Sequence, residues 1–178
     1  MSGVSAAFLD RDGVLNRRPP DHCYVTKLED LQVLPGIAHG IRELRRGGFT
    51  PIVVSNQRGV SLGELDMDTL REIEAALRAA GADIEAYYYC THDLGDRCDC
   101  RKPLPGLLLH AASERGISLP DSLLIGDSES DIEAGIAAGC HTNRVVSAPT
   151  RTRAECTASD LRAAAQLAVA RWGCAQAP

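Results

Sequence analysis

The sequence predicts an α/β fold with a doubly wound, mainly parallel sheet. Three observations predict it. Short apolar or β-branched runs alternate with helical patterns along the chain. No internal repeat or long linker breaks that alternation. The chemically richest polar residues directly follow apolar runs, where an open parallel sheet binds its ligands.

The elements follow in order. Val4–Leu9 is an apolar first strand. Gly36–Arg46 is a helix with Ile37, Ile41 and Leu44 on one face, and Gly47 ends it. Thr50–Val54 is a β-branched second strand. Leu65–Ala80 places Met67, Leu70, Ile73 and Leu77 at helical spacing, closed by Gly81. Ile84–Tyr89 is the third strand, and the polar stretch Thr91–Cys100 is irregular. Pro105 suits the first turn of a helix reaching Arg115. Ser122–Ile125 is a fourth strand, Glu129–Ala138 a helix and His141–Val146 a fifth strand. Ala158–Trp172 is an amphipathic closing helix, with Thr157 and Asp160 in capping-box spacing.

The 178 residues, 44% of them apolar, suffice for one domain spanning residues 1–178. The net charge of −5 argues against a nucleic-acid partner, whose footprint is a basic excess. No apolar run approaches the roughly 20 residues of a membrane helix. The N-terminal MSGVSAAFLD lacks a signal-peptide core, so no membrane partner and a cytoplasmic location are expected. The seven cysteines are then expected as metal ligands or core thiols rather than disulfides.

Four strand ends carry the chemistry. After the first strand comes Asp10-Arg11-Asp12-Gly13. Residues two apart on an extended segment face one side, so both acids can meet one ligand. A carboxylate can attack phosphorus to form an acyl phosphate, and a neighbouring acid can serve the leaving group and water. Solvated acids in a turn are the plainer alternative. After the second strand, Ser55, Asn56 and Gln57 offer donors for phosphate oxygens, or form an ordinary polar turn. Lys102 is one of only two lysines among nineteen basic side chains, and it stands just before a helix. It can neutralise a phosphate there, or lie on the surface. After the fourth strand, Asp127 and Asp131 suit Mg²⁺ or simple N-capping.

Cys90, His92, Cys98 and Cys100 fall within eleven residues and form a Cys₃His set. That set matches a closed, tetrahedral, structural Zn²⁺ site in the loop 90–100. Zinc would pin a loop with little apolar packing and fix Arg101 and Lys102 behind it. Cys23, Cys140, Cys156 and Cys174 fit no ligand spacing.

Taken together, the Asp10-Arg11-Asp12-Gly13 loop, Ser55, Lys102 and Gly126-Asp127 to Asp131 resemble the motifs of the haloacid dehalogenase superfamily of phosphatases. The resemblance covers residues 5–146. It implies sheet order 3-2-1-4-5, which would place Asp10 and Asp127 on neighbouring strands. It implies Asp10 as nucleophile and Asp12 as general acid and base. Mg²⁺ would be held by the carboxylates of Asp10 and Asp127 and the carbonyl of Asp12. Ser55 and Lys102 would hold the transferred phosphoryl group, and Asp131 would orient Lys102 or a metal-bound water.

The cysteine cluster directly before Arg101-Lys102-Pro103 resembles the zinc-containing branch of that superfamily, which acts on heptose bisphosphates or histidinol phosphate. The resemblance implies substrate contacts at Asp21, His22, Tyr24, Asn56, Gln57, Arg58 and Arg101. Those stretches lean toward the heptose-bisphosphate members. Cys23 and Ser128 depart from the pattern, Ser128 replacing a basic residue. No segment is long enough for a cap domain, so loops on the sheet must set specificity. A monomer acting on a small phosphorylated sugar is the resulting expectation. A receiver-type signalling domain is disfavoured because its phosphoacceptor would follow strand three, which here ends in Cys90. A zinc-stabilised binding module is disfavoured because every catalytic group is present.

Overall fold

The structure, a computed structural model, describes residues 3–20 and 23–173. Its strands are β1 (Ala6–Leu9), β2 (Thr50–Asn56), β3 (Ala86–Cys90), β4 (Leu123–Gly126), β5 (His141–Val145) and β6 (Cys156–Ala158). They form one sheet in the order β3-β2-β1-β4-β5-β6, and every pairing is parallel. The helices are α1 (Ile37–Arg46), α2 (Met67–Ala79), α3 (Gly106–Arg115), α4 (Glu129–Ala138) and α5 (Leu161–Trp172).

Each central strand feeds two cores, because alternate side chains leave a strand on opposite faces. Ala7, Leu9, Val53, Leu123 and Ile125 pack with Ile37, Ile41 and Leu44 of α1, Ile73 and Leu77 of α2, and Leu161, Ala164 and Ala168 of α5. Ala6, Phe8, Ile52, Val54 and Leu124 pack with Leu107, Leu108 and Ala111 of α3 and Ala134 of α4. Burial on both faces explains why these strands read as continuous apolar runs.

The expected order 3-2-1-4-5 holds, with one strand added. Cys156–Ala158 pairs with Asn143–Val145 as the outer strand. Thr157 therefore lies in a strand rather than capping a helix. Asp160 is the N-cap of α5 and accepts from the Ala163 N–H at 2.8 Å. Three other elements begin two residues later than expected, β3 among them, which starts at Ala86 rather than Ile84. Val4 makes only an isolated bridge to Ile117 before β1. Helix α2 begins after Asp66, whose side chain accepts from the Thr69 N–H at 2.7 Å.

Strand order reverses at β1, which has β2 on one side and β4 on the other. The crevice beyond the carboxyl ends of β1 and β4 is therefore the natural ligand position. Between β1 and α1 the described residues contain only the short 3-10 turn Leu28–Asp30, and between β3 and α3 no helix or strand. No helix of the described residues is long and apolar enough to cross a membrane.

Candidate active site

Asp10 is the first residue past β1, and its N–H still donates to the Ile125 carbonyl of β4 at 3.0 Å. The chain then turns sharply. The N–H groups of Val14, Leu15 and Asn16 all donate to the Arg11 carbonyl. Gly13 has φ 98°, and a Cβ there would stand 1.9 Å from Asp127 Oδ2. Glycine at this position is thus what lets the Asp127 carboxylate approach the Asp10 loop. At Gly126 a Cβ would lie 2.2 Å from the Asp131 Cβ, so the second acid is admitted in the same way.

The carboxylates of Asp10, Asp127 and Asp131 each offer an oxygen within 4.8 Å of the others, a set that could hold a metal ion. Lys102 meets two of them. Its Nζ donates to Asp10 Oδ1 at 2.8 Å and to the Val54 carbonyl at 2.9 Å. It lies 2.5 Å from Asp131 Oδ1. Asp131 Oδ2 also accepts from the N–H of Ser128 at 3.0 Å and its hydroxyl at 2.5 Å, closing the capping box of α4. Asp131 thus contacts Lys102 directly, and Ser128 spends its side chain at the helix start.

Burial sets the electrostatics. It pushes the Asp10 carboxyl up to about 7; Lys102 pulls the other way, while Asp131, Asp12 and Asp127 add to the rise. Burial likewise raises Asp127, with Arg18 opposing. For Asp131 burial would raise the value, but Lys102 and Ser128 outweigh it and hold it down. Burial would lower Lys102, yet the attraction of Asp10 and Asp131 keeps its ammonium protonated well above the ordinary range.

A cavity of about 220 Å³ opens above these groups. Asp10, Asp12, Arg18, Tyr24, Ser55, Asn56, Lys102, Ser128 and Asp131 line it, with Pro19, Pro20, Cys23 and Ser130. Of the expected substrate residues, Tyr24 and Asn56 face the cavity. Gln57 does not: it is fully buried, and its amide bridges Asp12 and Ser55. Arg58 pairs through Nε with Asp93 Oδ1 at 2.5 Å. Arg101 donates to the His92 carbonyl. Both arginines thus hold the 90–100 loop and lie outside the cavity lining. Asp21 and His22 lie outside the described residues. Sequence reasoning missed Arg18, whose guanidinium donates to both carboxylate oxygens of Asp127 and comes within 4.0 Å of Asp10 Oδ2. Nothing in its spacing marks it, because it reaches the site from an irregular segment.

Cys90, His92, Cys98 and Cys100 converge as expected, with all four ligating atoms within 4.8 Å of one another. Cys90 Sγ lies 3.6 Å from His92 Nδ1 and 3.9 Å from Cys98 Sγ, and Cys100 Sγ lies 3.2 Å from His92 Nδ1. The remaining described cysteines, Cys23, Cys140 and Cys156, are free thiols away from this cluster.

A buried carboxylate, a buried ammonium and an acid cluster stand together at the switch point of a parallel sheet. Residues 4–139 match the family model of haloacid dehalogenase-like hydrolases, and the chain belongs to that family. Within it, the chain is similar to the D-glycero-beta-D-manno-heptose-1,7-bisphosphate 7-phosphatase of Yersinia pestis. The two are 35% identical over 80% of each chain. The protein of that name from Escherichia coli K12 is 36% identical, over 80% of this chain and 79% of its own length. Among solved structures, the D,D-heptose 1,7-bisphosphate phosphatase of B. bronchiseptica, complexed with magnesium and phosphate, superposes with TM-score 0.80. It is 30% identical, and the match covers 93% of this chain and 98% of that one. The enzyme of that name from Burkholderia thailandensis is 25% identical with TM-score 0.64, covering 94% and 99%.

Proposed function

We propose that the chain removes the C7 phosphate of D-glycero-D-manno-heptose 1,7-bisphosphate through a phosphoryl group carried on Asp10. The observation that carries this reading is the Asp10–Lys102–Asp131 constellation facing the cavity. It occurs in a chain whose relatives bear that activity in their names.

An Asp10 carboxylate oxygen bonds to phosphorus as the bond from phosphorus to the sugar oxygen breaks. That oxygen leaves with the electron pair and takes a proton from Asp12. Asp12 then takes a proton from water, the water oxygen bonds to phosphorus, and the bond to Asp10 breaks to give inorganic phosphate. Lys102 and the Ser55 hydroxyl hold the phosphoryl oxygens throughout. The carboxylates of Asp10 and Asp127 and the Asp12 carbonyl would hold Mg²⁺, and the close approach that Gly13 permits fits this donor set. Bound there, Mg²⁺ supplies positive charge to the phosphoryl oxygens.

The cysteine cluster fits Zn²⁺. A tetrahedral site with Zn–S of about 2.3 Å has ligand edges near 3.7 Å, which the observed spacings bracket. We assign it a structural role. Arg18, Tyr24 and Asn56 line the route of the sugar, and Arg18 is the cation placed to meet its second phosphate. A heptose bisphosphate is too highly charged to cross a bilayer unaided, which fits work in the cytoplasm, and we take the chain to act there as a single-domain monomer.

The test is phosphate release from heptose 1,7-bisphosphate and from histidinol phosphate, with the site of cleavage read by NMR. The reading expects higher kcat/KM for the bisphosphate and retention of its C1 phosphate. Higher kcat/KM for histidinol phosphate defeats the substrate assignment and leaves the Asp10 chemistry standing.

A further inference from the structure

Three side chains grip the Asp12 carboxylate. Arg11 donates through Nε to Oδ1 at 3.2 Å and through Nη2 to both oxygens at 3.1 Å. Asn16 Nδ2 donates to Oδ1 at 2.8 Å. Both belong to the turn that carries Asp12. Gln57 comes from the other side of the crevice, and its Nε2 donates to Asp12 Oδ2 at 3.0 Å.

Gln57 also touches a second working group. The same Nε2 donates to Ser55 Oγ at 2.9 Å. A hydroxyl oxygen that accepts from an amide has its own proton left to give elsewhere. Ser55 lines the cavity, so the free direction for that proton is toward a bound phosphoryl oxygen. Gln57 itself is fully buried and does not line the cavity, so it cannot recognise substrate directly. Its backbone N–H donates to the Cys90 carbonyl at 2.8 Å, where the cysteine cluster begins. Its neighbour Asn56 exchanges two hydrogen bonds with the Lys102 backbone, each 3.1 Å long.

We infer that Gln57 is a positioning residue whose one buried amide aims the Ser55 hydroxyl proton and fixes the Asp12 carboxylate at the same time. It ties both to the end of β3. The inference rests on the phosphatase reading. Both N–H bonds of the amide are spent on the two groups, so one substitution disturbs phosphoryl holding and proton transfer together.

The experiment compares Gln57→Met with the wild-type chain on an alkyl phosphate and on p-nitrophenyl phosphate, with added magnesium. Methionine keeps the length and supplies no donor. Gln57→Glu, of the same shape, serves as the second variant if the first does not fold. Kcat for the alkyl phosphate should fall at least about tenfold, since proton transfer to the leaving group contributes a hundredfold or more. The fall for p-nitrophenyl phosphate should be several times smaller, because its leaving group needs little protonation. In a Ser55→Ala background, Gln57→Met should cost less than in wild type, because the two share a contact. An equal loss on both substrates, with effects that simply multiply in the double variant, would show Gln57 to be packing alone and overturn the inference. A wild-type chain that releases phosphate from neither compound overturns the phosphatase reading and the inference with it.

Discussion

Replacing Lys102 with methionine removes the cation from a buried cluster of acids. The Nζ lies 2.8 Å from Asp10 Oδ1 and 2.5 Å from Asp131 Oδ1, and the residue is 5% exposed. Methionine fills a similar volume without charge, so two buried carboxylates lose their partner. Breaking such a pairing costs about 3–5 kcal/mol. For a chain of this length that corresponds to a fall in Tm of about 6–20 °C. The loss should depend on pH. Lys102 is the influence that opposes burial at Asp10, so without it the Asp10 carboxyl rises above about 7. A carboxyl whose folded value is raised binds its proton more tightly folded than unfolded. Its favourable contribution is therefore present at low pH and fades as pH climbs from about 4 through the folded value. The deficit against wild type should be smallest near pH 5 and largest above about pH 7. Activity should fall as well, since losing one group that stabilises the developing charge costs about 10²–10³ in kcat. Urea unfolding at the two pH values, without added magnesium, and phosphate release with magnesium measure both effects. A variant with unchanged Tm and kcat within about tenfold of wild type would refute the reasoning. So would a stability deficit that grows on acidification.

Other outcomes follow from the same contacts. Zinc should copurify at about one atom per chain, and Cys98→Ser should lower both zinc content and kcat; metal-free protein with full activity would remove the structural role. Arg18→Ala should raise KM for a sugar bisphosphate about tenfold, with little change for a monophosphate of the same sugar. The same variant should reach half activation at lower magnesium, because Arg18 no longer occupies the Asp127 carboxylate. Magnesium and protons compete for Asp10, whose carboxyl lies at about 7. Half-activating magnesium should therefore fall as pH rises toward that value and level off above it, and a flat profile would contradict the assignment.

The sheet was legible because β1, β2 and β4 are buried on both faces and read as unbroken apolar runs. The outer strand β6 was not. Its three residues, with one side open, show no periodicity and lie where a helix pattern begins. Asp10, Lys102 and Asp127 were legible because each stands just beyond a strand or before a helix, and Ser55 because it lies near the carboxyl end of β2, which runs on through Asn56 rather than ending at Val54. The side chains of Gln57, Arg58 and Arg101 were not. Asp12 and Asp93 come from other segments and His92 from the far end of the same loop, and spacing does not reveal which way a long side chain turns. Arg18 escaped for the same reason, since its contact with Asp127 spans 109 positions of sequence.

Covalent capture of the phosphoryl group on Asp10 tests the central claim most directly. The chain is incubated with substrate and magnesium, quenched, and reduced with borohydride, which converts an acyl phosphate to an alcohol. Peptide mass spectrometry then locates the reduced residue. The account predicts reduction at Asp10, dependent on substrate and absent in Asp10→Asn, which should fold with its metal cluster intact and release no phosphate. Reduction at Asp12 or Asp127 instead, or phosphate release by Asp10→Asn at more than a trace of the wild-type rate, would contradict it.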